Sequence, residues 1–127
     1  SSLTGESLPV EKNLKLFPNT QHIEEKIFSS DNIAFIKSAL IAGVNEGGTG
    51  KRAKLNEHIA FGKTGTAQLL INGKYSNSKH NTIFAGIAPS NNPRYIMVVN
   101  IKAPDGYYLD GGSVAAPIFK EVMDKIL

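Results

Sequence analysis

The stretch FGKTGTAQLLINGKY, residues 61–75, decides the fold because it contains both a strand and the turn that ends it. An extended pattern runs from Glu57 to Ile71. Asn72-Gly73 follows it, and this pair is a strong signal for a two-residue hairpin turn. The chain is therefore expected to turn back on itself directly after a long strand.

Within this strand, Lys63 supplies a charge, and Thr64 and Thr66 supply hydroxyl donors. Exposed backbone N–H groups beside them can pair with an extended substrate. Glycines at 62 and 65 weaken a strand unless a backbone or a ligand must approach closely. The pattern is typical of an edge that recognises anions and carbonyl groups, although an ordinary bulged strand would carry the same four residues.

Two further strands are predicted after the hairpin, at 82–88 and 94–101. The second of them is an apolar, β-branched run typical of a central, buried strand. Short turns join the three strands, which makes them an antiparallel meander. A three-stranded sheet has an exposed edge, so we expect another part of the protein to pair with it or cover it.

A helix is predicted on each side of the strands. Ser29, Ser30 and Asp31 are typical of a helix start, and apolar residues at helical spacing continue to about Glu46. The residues from 114 to 127 form a second amphipathic pattern, with a proline tolerated in its first turn. The fold class is therefore α+β, an antiparallel sheet packed against helices. Residues 1–28 read as an irregular N-terminal segment.

Composition limits the functions that the chain can have. With 127 residues, of which 41% are hydrophobic, it is one small domain or a piece of a larger one. It has no cysteine, and its histidines at 22, 58 and 80 are far apart, so we expect no metal site and no cofactor. The net charge of +3 is mild, and Lys51, Arg52 and Lys54 form the only basic cluster. A solvated loop explains that cluster better than nucleic-acid binding does.

Several strings together resemble the class B penicillin-binding proteins. The string GGTGKRA precedes the strand, GKTGTAQ lies in it, and NGKY follows it. KHNTIFAGIAPSNNPRYIMVVNI and YYLDGGSVAAPIFKEVM complete the resemblance, which covers roughly residues 28–127. K-T-G is one of three motifs shared by penicillin-binding proteins and class A β-lactamases. The chain looks closest to the division-type (septal) transpeptidases, and the elongation-type enzymes are similar here.

The resemblance implies a fold and a reaction. The fold would be the serine transpeptidase/β-lactamase-like one, in which the three strands are part of a five-stranded sheet. Residues 29–127 would be the C-terminal portion of that domain, so the domain would be incomplete here. In the family, a serine attacks the D-Ala-D-Ala end of a peptidoglycan stem peptide, the acyl group passes to an amine on another strand, and β-lactams trap the same serine.

The resemblance also implies roles for individual residues. Thr64 and Thr66 would bind the carboxylate of the substrate or drug, and the Thr66 N–H would be one oxyanion-hole donor. Lys63 would sit behind the hydroxyls, and Gly65 would leave room for the ligand backbone. Tyr107 and Tyr108 would form an aromatic wall of the cleft, with core packing as the alternative for either. Leu109-Asp110, which separates these tyrosines from Gly111-Gly112, departs from the family pattern.

Two further strings spell motifs of the family in the wrong order. Ser30-Asp31-Asn32 matches S-x-N but lies where helix-capping residues are expected. Ser76-Asn77-Ser78-Lys79 matches S-x-x-K but follows K-T-G, whereas the family places it first. We therefore expect the true nucleophile and base to lie upstream of Ser1, and we expect the isolated chain to be inactive.

The expected partners are peptidoglycan stem peptides, β-lactam antibiotics, the missing N-terminal half of the domain and, more remotely, divisome proteins. The resemblance implies a location at the periplasmic face of the bacterial inner membrane, anchored by a segment absent from this chain. Two alternatives stay open: a non-catalytic binding module, and a β-lactam sensor or β-lactamase-related domain. A module predicts a closed surface, whereas a fragment predicts an exposed apolar patch. A P-type ion pump is excluded because Gly62 replaces the aspartate that such pumps phosphorylate.

Overall fold

The computed structural model describes residues 26–104 and 110–127. The predicted α+β architecture is confirmed: an antiparallel sheet of three strands packs against two helices. In chain order the elements are α1 (Ser30–Asn45), a 3₁₀ turn (Lys51–Ala53), β1 (Phe61–Ile71), β2 (Lys74–Ala88), β3 (Tyr95–Lys102) and α2 (Ala115–Ile126). Neither helix in this part of the chain is long and apolar enough to cross a membrane. Of the segment 1–28, only residues 26–28 are described.

The start of α1 confirms that the Ser30-Asp31-Asn32 string belongs to a helix cap. The Ser29 hydroxyl accepts a hydrogen bond of 3.2 Å from the Asn32 N–H, and Asp31 lies in the first turn. The helix ends at Asn45, whose side-chain amide donates to the Ala60 carbonyl at 2.8 Å. That bond fixes the end of α1 next to the segment that leads into β1.

The hairpin between β1 and β2 has the two-residue turn that the sequence predicts. Asn72 and Gly73 both have positive φ, 50° and 76°, and Ile71 pairs with Lys74 across the turn. The strand bounds differ from prediction, since β1 begins at Phe61 rather than at 57, and β2 begins at Lys74 rather than at 82. The polar start of β2 is strand because the turn places it opposite β1, where backbone pairing needs no apolar side chains.

The prediction that the third strand is central and buried is wrong for the described residues. The strand order is β1-β2-β3, so β2 is central and β3 lies at an edge. Val99 is buried, whereas Ile96 is 76% exposed and Val98 61% exposed. The apolar run of β3 therefore alternates between a covered and an uncovered side of the sheet, and its sequence alone does not reveal this alternation.

The covered side of the sheet, here called the closed face, carries the core. The rings of Phe84 on β2 and Phe119 on α2 lie 4.9 Å apart between centroids, and both are fully buried. Gly62 and Gly86 make room for these rings, since a Cβ on Gly62 would lie 2.8 Å from the Phe84 ring and one on Gly86 would lie 2.7 Å from Phe119. One of the glycines beside K-T-G is thus explained by packing.

A polar cluster fastens α2 to the segment before β1. The Lys120 ammonium donates to Asn56 Oδ1 at 2.8 Å and to Asp124 at 2.6 Å, and the Asn56 N–H donates to Asp124 at 3.0 Å. Partial burial raises the pKa of Asp124, but the hydrogen bonds from Lys120 and Asn56 outweigh it, so that this pKa lies below its usual value. The ionised carboxylate is therefore the form that this cluster stabilises.

Candidate active site

The predicted site lies on β1, which is an edge strand in the described part of the sheet. Side chains alternate along a strand, and cross-strand partners share a face. Thr64 pairs with the buried Phe84 and Thr66 pairs with the buried Thr82, so both hydroxyl side chains lie on the closed face. Lys63 pairs with Ala85, which places it on the opposite side.

The Thr64 hydroxyl is held by the turn that follows α1. Thr49 Oγ1 and Thr64 Oγ1 lie 2.9 Å apart, in a hydrogen bond for which either can be the donor. The turn itself packs tightly against α1, because the Gly50 N–H donates to the Gly43 carbonyl at 3.2 Å. A Cβ on Gly48 would lie 2.5 Å from the same carbonyl. The glycines of the string GGTG therefore bring Thr49 to the site.

The Thr66 hydroxyl is held by the turn that precedes α2. Thr66 Oγ1 accepts a hydrogen bond of 3.1 Å from the Gly111 N–H. Gly111 lies flat on the strand, since a Cβ at this position would collide with the Ile83 carbonyl and would lie 2.6 Å from the Gly65 carbonyl. The close backbone approach that the sequence predicts beside K-T-G is thus made by another part of the same chain.

Asp110 shapes that turn. Its carboxylate accepts from the Ser113 N–H at 2.8 Å and from the Ser113 hydroxyl at 2.9 Å. Partial burial raises the pKa of Asp110, but these bonds, a bond from the Gly112 N–H and the charge of Arg52 outweigh it and lower the pKa. Arg52 also donates to the Ser113 carbonyl at 3.4 Å. The Arg52 bond therefore joins the 3₁₀ turn to the Asp110 turn, and the Gly111 bond joins the Asp110 turn to β1 at Thr66.

Lys63 lies behind the strand. Its ammonium donates to the carbonyl of its neighbour Thr64 at 3.0 Å, and its side chain is exposed. Gly65 lies on the same side, where the nearest atom to an added Cβ would be Ile83 Cβ at 3.6 Å. Unlike Gly62, Gly65 therefore has open space on its side of the strand.

Two clefts meet at the Thr49–Thr64 pair. One, of about 340 Å³, lies between α1 and β1 and is lined by residues that include Leu40, Gly43 and Lys63. The other, of about 380 Å³, is lined by residues that include Lys51, Arg52, Asp110 and Ser113. The strand thus has concave surface beside it, with positive charge on one side.

The structure brings together four of the predicted site residues, Lys63, Thr64, Gly65 and Thr66, on one short segment of β1. Tyr107 and Tyr108 lie outside the described residues. The Ser76–Lys79 string lies in the exposed first half of β2, away from any helix start. Among the described residues, no three histidine, aspartate or glutamate side chains are grouped so that they could hold a metal ion.

Sequence reasoning gave no role to Thr49, Asp110 or Gly111. All three act through contacts with residues distant in sequence or through a tight turn, which periodicity does not report. Glycine density is the sequence signal that could have found them. Two or more glycines lie beside Thr49 in GGTG, and Gly111-Gly112 follow Asp110 directly.

The family model described as "Penicillin binding protein transpeptidase domain" matches residues 11–124. The chain therefore belongs to this family. It is 39% identical over 101 residues to the probable peptidoglycan D,D-transpeptidase PenA of Neisseria flavescens, an alignment that covers 78% of this chain and 25% of that protein. The chain thus spans about a quarter of this curated relative.

Two solved structures agree with this assignment and confirm the serine transpeptidase/β-lactamase-like fold. The transpeptidase domain of the FtsI4 D,D-transpeptidase from Legionella pneumophila is 34% identical, with a TM-score of 0.65, over 80% of this chain and 37% of that one. The transpeptidase domain of Burkholderia pseudomallei penicillin-binding protein 3 is 30% identical, with a TM-score of 0.69, over 80% of this chain and 31% of that one.

Proposed function

We propose that this chain is the C-terminal part of a class B, division-type peptidoglycan D,D-transpeptidase, and that it supplies the substrate-binding strand but not the nucleophile. The complete enzyme cross-links stem peptides through an acyl-serine intermediate and is acylated by β-lactams. The site residues are Lys63, Thr64, Gly65 and Thr66, with Tyr107 and Tyr108 as the aromatic wall. The reaction needs no cofactor.

The observation that carries this proposal is the pair of hydroxyls held side by side on an edge strand. The Thr64 hydroxyl is hydrogen-bonded to Thr49, and the Thr66 hydroxyl accepts from the Gly111 N–H. These bonds restrict the rotation of both hydroxyls. Two hydroxyls held on the same face of one strand can each donate to a carboxylate, such as the C-terminus of D-Ala-D-Ala or the acid group of a penicillin. Lys63, behind the strand, adds a positive charge that favours an anion.

The edge position of β1 supports the oxyanion-hole role of Thr66. In an antiparallel strand, successive N–H groups point alternately to the two sides, and in the described residues β1 pairs only with β2. N–H groups on the other side are available to a ligand. A fixed N–H stabilises the developing oxyanion without reorganising during the reaction, and removal of one such donor costs about 10²–10³ in rate.

The side of the sheet opposite the core supports the idea of a larger domain. It is here called the open face, and it carries Ile83, Ile87, Ile96 and Val98. Helix α1 also has exposed apolar side chains, including Phe35 at 76%. A self-contained binding module would close such a surface, so this exposure favours a surface that docks against the rest of a transpeptidase domain.

The proposed function also implies a location and partners for the complete enzyme. The enzyme acts at the periplasmic face of the inner membrane, on peptidoglycan stem peptides, and is anchored by a segment outside this chain. Its protein partners are those of the division machinery. The support for these statements is the sequence resemblance and the names of the relatives.

Acylation by a fluorescent penicillin tests the proposal. In the complete protein, we expect covalent labelling, and we expect Thr66→Val, which removes one hydroxyl of the pair, to slow it about tenfold. Ser76→Ala is the matched control and should label at the wild-type rate, because that serine lies on an exposed stretch of β2. Labelling of the 127-residue chain by itself would contradict the placement of the nucleophile elsewhere, and no labelling of the complete protein would contradict the function.

A further inference from the structure

Asp110 immediately precedes Gly111, and the turn that it begins connects it to Thr66. We propose that Asp110 is a positioning residue, which fixes the Gly111 N–H and through it the Thr66 hydroxyl as a donor to the carboxylate of the ligand. The inference rests on the proposed function, because it concerns the same ligand group.

Hydrogen bonds from Ser113 and Val114 fix the turn at Asp110. Asp110 accepts from Ser113 with both carboxylate oxygens, and its own carbonyl accepts from the Ser113 and Val114 N–H groups at 3.2 and 3.1 Å. Gly111 continues the turn, and its carbonyl accepts from Ala116 N–H at 2.9 Å. The turn therefore begins at a residue whose side chain and backbone are both bonded, and it runs directly into α2.

Gly111 lies close against β1 and β2, since an added Cβ would collide with the Ile83 carbonyl of β2 and would lie 2.6 Å from the Gly65 carbonyl of β1. Its N–H donates to Thr66 Oγ1 at 3.1 Å. Loss of the Asp110 carboxylate would release the Ser113 end of the turn and with it the direction of this N–H.

The Thr66 hydroxyl completes the connection from Asp110 to the ligand. A threonine hydroxyl has one proton to donate and can accept two hydrogen bonds. Because Thr66 Oγ1 accepts from Gly111, its proton is directed elsewhere, and accepting one bond strengthens its donation of another. A carboxylate placed beside Thr66 and Thr64 accepts a hydrogen bond from that hydroxyl. Asp110 thus acts on the ligand through Gly111 and Thr66, without touching it.

The charges around Asp110 are consistent with this role. Arg52 and Lys51 face it from the 3₁₀ turn across the shared cleft. Arg52 bonds to the Ser113 carbonyl, so the cation stabilises the same turn as the carboxylate. Asp110 is ionised at neutral pH, and its bonds to Ser113 are therefore charge-assisted.

The test compares a penicillin with its carboxylate methyl ester as acylating agents of the complete enzyme. The uncharged ester accepts weaker hydrogen bonds than the carboxylate, so a residue that acts through Thr66 should affect the free acid more than the ester. We expect Asp110→Ala to lower the second-order acylation rate for the free acid about tenfold and the rate for the ester much less, so that the ratio of acid to ester rates falls. Asp110→Asn, which retains one acceptor oxygen, should fall between wild type and Asp110→Ala, and Ser113→Ala should act in the same direction.

The controls separate the possible failures. Asp124→Asn is the matched carboxylate variant, because it loosens α2 at its far end and should leave the ratio of acid to ester rates at the wild-type value. A wild-type ratio in all the Asp110 and Ser113 variants would overturn the positioning role while leaving the transpeptidase assignment intact. A wild-type protein that neither compound acylates would overturn both. If Asp110→Ala does not fold, Asp110→Asn and Ser113→Ala decide the question.

Discussion

The closed and open faces of the sheet are made by the same three strands, yet in the described residues only the closed face is covered by a packed core. On the closed face, Phe84 packs against Phe119 and is fully buried. On the open face, Ile96 and Val98 have similar apolar side chains but stay largely exposed. The difference shows that apolar content alone does not define a core: one set of side chains has a helix against it, and the other does not.

The threonines and Lys63 divide between these faces. Thr64 and Thr66 are supported from the closed face, by Thr49 and Gly111. Lys63 projects on the side of the open face, where its bond is to the adjacent Thr64 carbonyl. The hydroxyls are therefore positioned by distant parts of this chain, whereas the hydrogen bond found for the ammonium in the described residues is to the next residue of its own strand.

The largest expected effect comes from truncation on each face. Phe84→Ala should lower the free energy of unfolding by about 3–5 kcal/mol, because it leaves a cavity between β2 and α2. The matched control, Val98→Ala on the open face, should change it by about 0.5 kcal/mol or less. Denaturant unfolding of both variants measures the difference, and equal losses would mean that the open face is packed in solution.

The two glycines beside Lys63 sharpen the comparison. Gly62→Ala should destabilise the chain by about 1–3 kcal/mol, since the new Cβ would meet the Ala85 carbonyl and the Phe84 ring. Gly65→Ala should change stability by less than about 1 kcal/mol, because its Cβ would enter open space. In the complete enzyme, Gly65→Ala should nevertheless impair acylation by penicillin, as expected if a ligand passes there. Normal acylation of this variant would show that no ligand occupies the open space beside Gly65.

Self-association tests the open face directly. Exposed apolar surface and an unpaired strand edge promote contact between copies of a chain. Ile96→Thr together with Val98→Thr retains β-branched side chains and should shift the chain toward monomer in sedimentation experiments across a concentration series. Val99→Thr, one residue away but on the closed face, is the control: it should destabilise the fold without making the folded chain more monomeric.

The smallest effect is expected at the polar cluster that fastens α2. The pKa of Asp124 is lowered in the folded chain, so its stabilisation is present above the unfolded value of 3.8 and is lost as pH falls through the folded pKa. Asp124→Asn should therefore cost about 1 kcal/mol at neutral pH and weaken the loss of stability in acid. Glu121→Gln, which breaks an exposed pair with Lys125, should leave neutral-pH stability unchanged. Parallel pH-dependent unfolding curves for Asp124→Asn and wild type would contradict this assignment.

Local chemistry accounts for what the sequence could predict. Asn72-Gly73 specifies its turn because both residues tolerate positive φ, and Ser29 specifies a helix start through a bond three residues away. The K-T-G-T segment could be placed on a strand for similar reasons. These features depend on neighbours in the chain, and so a pattern can report them.

Long-range contacts account for what it could not. Thr49 meets Thr64 across 15 positions, and Gly111 meets Thr66 across 45, so neither pairing leaves a periodic trace. The edge position of β3 depends likewise on which strands are present to pair with it. Its apolar run indicated a central, buried strand, whereas in the described residues Val99 is buried and Ile96 and Val98 are exposed.

Gly111 lies against the backbone of β1 and β2. The atoms nearest to an added Cβ would be backbone atoms, foremost the carbonyl oxygens of Ile83 and Gly65. A change of amino acid at position 83 alters the open face but leaves the oxygen beneath Gly111 where it was. The two sides of β2 can therefore diverge independently, so that a new docking partner could be accommodated on one side while the geometry at Thr66 is inherited unaltered on the other.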